Sequence, residues 1–191
     1  KKQNKKNEKK YGTMIRINKF NGYGVAFSRQ RLFTLGIRSE VGINPSIIFD
    51  SIKKENLVTI KMTIEDLRDK GPDASIDHVW PNVKTIRKYL KYYRTGKYGW
   101  YILKWDEPSP SFGNITKTYI LHPDSFNNGH EPRPISVREA LRIVGFRDSY
   151  AFPPGIGLRT KYEMISNAVS PIFSLKLART LSSFLFSSGT I

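Results

Sequence analysis

The sequence predicts an α+β protein: a pair of strands near the N-terminus, an irregular and strongly basic middle, and helices at the C-terminal end. Three observations lead there. Met14–Asn18 (Met-Ile-Arg-Ile-Asn) alternates apolar and polar side chains, as a half-buried strand does, and Arg31–Ile37 is a second run rich in strand formers. Ser136 and Glu139 have the Ser-x-x-Glu spacing of a helix capping box ahead of Ala140, Leu141 and Val144. Cations crowd residues 84–104, where no acidic residue occurs.

The elements follow in order. Residues 1–10 hold six lysines and one glutamate; such a segment buries nothing and is expected to be a disordered tail. Asn21–Gly24 supplies turn residues between the first two strands. Leu57–Ile64 reads as a strand and Asp69–Ser75 as a loop. The spacing of Val83, Ile86, Leu90 and Tyr93 predicts a helix over 82–94 that Gly96 ends. Trp100–Trp105 reads as a strand, 106–135 as a proline-rich loop region, and Tyr119–Leu121 as a short strand. After the capped helix stopped by Gly145, a last helix is expected to start with Ser170 as cap and Pro171 as first residue. Its core-facing stripe is Ile172, Leu175, Leu181, Phe184 and Leu185.

Composition narrows the chemistry. With 191 residues the chain suits one ordinary domain or two small ones. Its formal charge of +16 points to a polyanionic partner, nucleic acid first. No cysteine is present, which excludes disulfides, thiolate metal sites and thiol catalysis by these residues. The three histidines are not spaced as ligands on one helix, and no metal site is expected. No apolar run approaches the ~20 residues that span a bilayer, and the lysine-rich start does not resemble a signal peptide. A cytoplasmic location is expected from these features.

Lys84, Arg87, Lys88, Lys91, Arg94 and Lys97 are the expected DNA-facing residues. Tyr89, Tyr92, Tyr93, Tyr98, Trp100 and Tyr101 are interleaved with them and suit packing, stacking or wedging; Tyr93 and Trp100 are expected to belong to the core.

Three segments in order resemble conserved blocks of the DNA cytosine-5 methyltransferases. Gly24–Arg38 resembles the eighth block: Arg29 and Arg31 match its two arginines, Leu32–Phe33 its apolar strand and Gly36 its glycine. Arg133–Tyr150 resembles the ninth, through Arg133, Ile135, Ser136, Arg138, Glu139, Arg142, Phe146 and Asp148. Tyr162–Pro171 resembles the tenth, through Asn167, Ala168, Val169 and Pro171. Trp105–Phe112 is similar to the exit from the family's target recognition domain. Two departures stand out. Ala26-Phe27 replaces Pro-Gln, which is expected to loosen the loop entering the site. Ser166 replaces a glycine, adding a side chain where the methyl donor comes close.

The resemblance implies a β-rich target recognition domain attached to the strand hairpin and helices that complete a Rossmann-like methyltransferase domain. The expected divisions are a tail at 1–10, methyltransferase strands at 11–38, the recognition domain at 39–130 and returning helices at 131–191. It further implies that Arg31 and Arg29 contact a flipped cytosine nucleotide, a guanidinium being suited to both ring oxygen and phosphate. Asn167, Ala168 and Val169 would close one side of an S-adenosylmethionine pocket. The ninth block is read as structural, Glu139 included. The family's Pro-Cys nucleophile, donor-binding loop and Glu-Asn-Val segment have no counterpart in these residues. The first reading is therefore the target-recognising half of a restriction–modification methyltransferase. It binds double-stranded DNA and acts only with a complementary N-terminal half, in a separate subunit or the same polypeptide. The resemblance also makes the expected cytoplasmic location bacterial-type and nucleoid-associated. The alternatives are a catalytically inactive stand-alone DNA-binding module of the same descent and a generic RNA-binding basic domain.

Overall fold

The N-terminal alternation is realised as a nine-residue strand, β1 (Tyr11–Lys19), antiparallel to β2 (Gln30–Arg38), in a computed structural model that describes residues 10–113, 115, 120–127 and 129–187. The tail expected at 1–10 lies outside these residues apart from Lys10, as does Tyr119 of the strand expected at 119–121. Between the strands, Phe20–Tyr23 forms a 3-10 turn ended by Gly24 at φ 81°. One face of the hairpin carries Met14, Phe33 and Leu35 onto the core. Phe173, fully buried, is the knot: its ring lies 4.9 Å from those of Phe33 and Tyr23 and 5.4 Å from that of Phe20.

The middle departs from expectation. It is not β-rich: the strands described within 39–130 are β3 (Tyr101–Ile102) and β4 (Ile120–Leu121), a parallel pair of two residues each. The strand expected at 100–105 shrinks to β3. The strand expected at Leu57–Ile64 is instead a helical turn, α2 (Ile60–Ile64). Thr59 caps it by accepting from the Met62 amide, and Ile60 and Ile64, one turn apart, are both fully buried while Met62 faces out. A further short helix, α1 (Pro45–Asp50), was not foreseen; Asn44 caps it and Pro45 opens it. The helix expected over 82–94 is shorter and mixed, a 3-10 turn at Ile86–Tyr89 leading into α3 (Leu90–Thr95), ended as foreseen by Gly96 at φ 64°. The main core draws on all stretches of the chain, from Phe20 and Phe27 through Phe49, Ile60, Leu103 and Phe112 to Phe173. A smaller cluster of Ile86, Tyr93 and Leu121 underlies the basic segment.

The C-terminal part follows its sequence signals more closely. α4 (Val137–Val144) is buried on nearly every side and has both halves of the capping box: the Glu139 amide donates to Ser136 Oγ at 3.0 Å and the Ser136 amide to Glu139 Oε2 at 2.7 Å. Arg133 grips the same carboxylate with two bonds of 2.8 and 2.7 Å, its guanidinium 4.4 Å from the centre of the Trp80 ring. Gly145 ends α4 at φ 101°, where a Cβ would lie 3.0 Å from Ile172 and Ser170 atoms; only glycine suits both the conformation and the approach. α5 (Leu158–Asn167), a helix the sequence reading did not separate, leads to α6 (Pro171–Ser187). In α6 the expected stripe is shifted: Leu175 is exposed and Phe173 takes the core position.

Two histidines are sealed into this frame. His122 is 3% exposed; its Nδ1 accepts from the Asp124 amide at 3.3 Å, and burial pulls its pKa down to about 4. Burial likewise lowers His78, whose Nδ1 accepts from Ser136 Oγ. A histidine with a folded pKa below its unfolded value of about 6.5 loses stability as pH falls through the interval between them, because the unfolded chain takes up a proton that the folded chain refuses. Urea titrations should therefore show stability falling between about pH 6.5 and 4, by roughly 3 kcal/mol from His122 alone. His122→Gln should flatten that fall; a variant as pH-sensitive as the parent would exclude His122 as its source.

Candidate functional site

The arginine pair sits where the chain enters β2. Arg29 and Arg31 are both partly covered while Gln30 between them is exposed, so the two share one side of the strand. Arg29 Nη1 donates to the Phe112 carbonyl at 2.7 Å, while its buried Nε has no acceptor. Burial first, and then the Arg31 charge, draw the Arg29 pKa below its ordinary value. Arg31 makes no ion pair among the described residues. The loop leading in is not loosened by Ala26-Phe27. Phe27 is fully buried with its ring 4.5 Å from that of Phe112. The backbone is bridged to Ser109 on both sides, Ser109 N to Ala26 O and Ser28 N to Ser109 O, each at 2.8 Å. An apolar ring anchors the loop where Ala26-Phe27 in place of Pro-Gln suggested loosening.

At the end of α5, Asn167 and Val169 are exposed and Ala168 is half-buried. This edge is open to a ligand. Ser166 does not obstruct it: the residue is buried and its hydroxyl turns back to donate to the Glu163 carbonyl at 2.9 Å. No hydrogen bond or ion pair among the described residues joins this turn to the arginine pair; they are linked through the core, by Phe173 against Phe33. One cavity of about 860 Å³ is walled by Val25 and Ala26 of the eighth block, Phe146 and Tyr150 of the ninth, and Pro171, which ends the tenth, with Ile172 and Leu175 beyond it; neither the arginine pair nor Asn167, Ala168 and Val169 line it. Apolar side chains make up most of its wall, with Arg142 and Arg147 also lining it, which suits another protein segment or the flat face of a ring with a polar edge.

The six expected DNA-facing cations are all exposed. Arg87 is the exception in availability: its Nη2 reaches both carboxylate oxygens of Glu131 at 2.8 Å. The other five make no ion pair among the described residues. As expected, Tyr93 is buried; Trp100 is half-buried against it, 5.1 Å between ring centres.

A further surface escaped the sequence reading. The outer face of the hairpin exposes Ile15 (59%), Ile17 (63%) and Leu32 (63%), with Ile17 paired directly to Leu32 across the ribbon. The signal was present: Met14-Ile15 and Leu32-Phe33 place large apolar residues on both faces, as in a strand covered on both sides.

The sequence matches the C-5 cytosine-specific DNA methylases over residues 2–183. It is 27% identical over 182 residues to the type II methyltransferase M.FnuDI of Fusobacterium nucleatum, covering 83% of this chain and 52% of that protein. It is 26% identical over 193 residues to M.NgoPII of Neisseria gonorrhoeae, covering 90% and 55%. The chain thus spans about half the length of these relatives. In fold it resembles the S. pombe Dnmt2 methyltransferase, with TM-score 0.62 at 16% identity over 95% of this chain and 59% of that one. It also resembles the Entamoeba histolytica methyltransferase EhMeth, with TM-score 0.61 at 17% identity over 95% and 55%. Three ordered sequence blocks, a mixed α/β framework and a match over nearly the whole sequence together place this chain in the C-5 cytosine-specific DNA methylase family.

Proposed function

We propose that this chain provides the DNA-binding, target-recognising part of a DNA cytosine-5 methyltransferase of the restriction–modification type, and acts with a complementary N-terminal part. The observation that carries the reading is the bare outer face of the β1–β2 hairpin. Burying one large aliphatic side chain is worth about 1.5–3 kcal/mol, and three such side chains side by side mark a surface meant to be covered. The same face weighs against a stand-alone DNA-binding module, which would gain nothing from it.

In this reading the division of labour follows the chemistry each side chain allows. The complementary part brings the thiolate that adds to carbon 6 of cytosine, for which no group exists in this sequence. Arg31 and Arg29 hold the extruded nucleotide; the unsatisfied Nε of Arg29 would gain an acceptor there. Asn167, Ala168 and Val169 line one side of the S-adenosylmethionine site, and S-adenosylmethionine supplies the methyl group. Residues 39–130 read the target, with Lys84, Lys88, Lys91, Arg94 and Lys97 on phosphates. Arg87 joins them on exchanging Glu131 for a phosphate. The proposed location is the cytoplasm, on chromosomal DNA; among the described residues no helix is long and apolar enough to cross a membrane.

Incubated with S-adenosylmethionine carrying a labelled methyl group and duplex DNA, the chain alone should bind DNA and transfer nothing. Adding an N-terminal part that contains the Pro-Cys segment should restore labelled 5-methylcytosine. Transfer by the chain alone would contradict the division of labour. In the restored protein, Arg31→Ala should lower methylation by about a hundredfold and DNA affinity far less. Equal losses would show Arg31 to be a general DNA contact.

A further inference from the structure

Beyond the phosphate-binding cations, the basic segment has a feature that electrostatics does not require. Tyr98 stands at the tip of a tight turn between Gly96 and Gly99, and its ring is among the most solvent-exposed large side chains of the molecule at 78%. Three of the four residues of this turn take left-handed backbone conformations, Gly96 at φ 64°, Tyr98 at φ 55° and Gly99 at φ 78°. For tyrosine that conformation is costly, and glycine or asparagine would hold the same turn more easily. Residues kept in such conformations concentrate at functional sites.

The tip is braced from behind. The Tyr98 ring meets Tyr92 edge-on at 5.7 Å, and Tyr92 and Tyr89 lie 6.3 and 4.9 Å from Trp100. Trp100 in turn rests on buried Tyr93 at 5.1 Å. A chain of ring contacts, edge-on at both ends and tilted between, therefore runs from the smaller core cluster to a single protruding ring. Lys88 and Lys91 lie over the flanking tyrosines at 5.8 and 5.3 Å, and Arg94 and Lys97 are exposed on the same short segment. Of these five rings, Tyr89, Tyr92 and Trp100 are half-buried against one another, Tyr93 is buried, and only Tyr98 is exposed. A platform for single-stranded nucleic acid offers several open ring faces in succession; one rigid ring between cations instead fits a step of a stacked duplex.

We propose that Tyr98 is a wedge that presses between or against base pairs of duplex DNA while the surrounding lysines and Arg94 hold the phosphates. This rests on the reading of the chain as a DNA-binding part, and it assigns a base contact where charge alone assigns none. A wedge must open a stacked step, so a duplex already weakened at one step should be a better ligand.

The test uses the full chain and two duplexes of one sequence, intact and with a single abasic position, in equilibrium binding across a range of salt. The parent should favour the abasic duplex by about tenfold or more. Tyr98→Asn, which keeps the left-handed turn and removes the ring, should bind both duplexes alike with an unchanged salt slope. Tyr98→Phe should keep the preference, and Lys91→Ala should reduce the salt slope on both duplexes equally. Binding to the intact duplex without an abasic preference, or a preference that survives Tyr98→Asn, would overturn the wedge and leave DNA binding standing. Failure of the parent to bind either duplex would overturn both. Tighter binding to single-stranded RNA than to either duplex would overturn the wedge in favour of an RNA platform.

Discussion

The Glu139 carboxylate, sealed from solvent and gripped by both arms of Arg133, is the interaction on which the rest of the structure depends. Burial alone would push this carboxyl up toward neutrality, but the Arg133 bonds outweigh it and hold the group below the usual carboxylate range. As an ion, Glu139 satisfies the Ser136 amide and so starts α4. Removing one partner of such a pair leaves an uncompensated buried charge, at a cost of about 3–5 kcal/mol. Around that point the chain makes its long-range ties. Arg138 donates to carbonyls of Ile76 and Tyr150, Arg142 bonds Asp148 and Asp66, and Tyr162 donates to the Ile135 carbonyl at 2.6 Å. The ninth block is a structural hub because the charges of α4 and of Arg133 are spent internally.

That economy explains where function is left. With the charged side chains of α4 consumed by the frame, the groups free to meet other molecules lie on its margins: Arg31 at the base of β2, the Asn167 turn beyond α5, the cations around α3, and the outer face of the hairpin. Phe173 couples two of these margins, since it packs on β2 while opening the helix that follows the Asn167 turn. A covering partner on the hairpin would thus press on the same strand that positions the arginine pair.

Much of this was legible in the sequence where local chemistry decides the conformation. The capping box at Ser136, the stops at Gly96 and Gly145, and the alternating β1 and β2 all appear as read. The misreadings arose where two periods coexist. Leu57–Ile64 alternates like a strand, yet Ile60 and Ile64 also lie one helical turn apart, and the Thr59 cap decides for helix. The expected β-rich middle failed because its rings and isoleucines are buried by loops and short helices, a tertiary outcome that propensity does not carry. In sequence Ala26-Phe27 is a departure from the Pro-Gln of the eighth block; only the arrival of Phe112, 85 residues later in sequence numbering, makes Phe27 an anchor. The Arg87–Glu131 pair was invisible for the same reason.

Whether the apolar ribbon face is truly an interface is open to direct measurement by amide hydrogen exchange across Tyr11–Lys19 and Gln30–Arg38, with and without the complementary Pro-Cys-bearing part. Covering Ile15, Ile17 and Leu32 should slow exchange along both strands while leaving α4, already sealed, unchanged. Identical exchange in both samples, with complex formation verified independently, would mean that the partner binds elsewhere and that this face is not the seam of a divided methyltransferase.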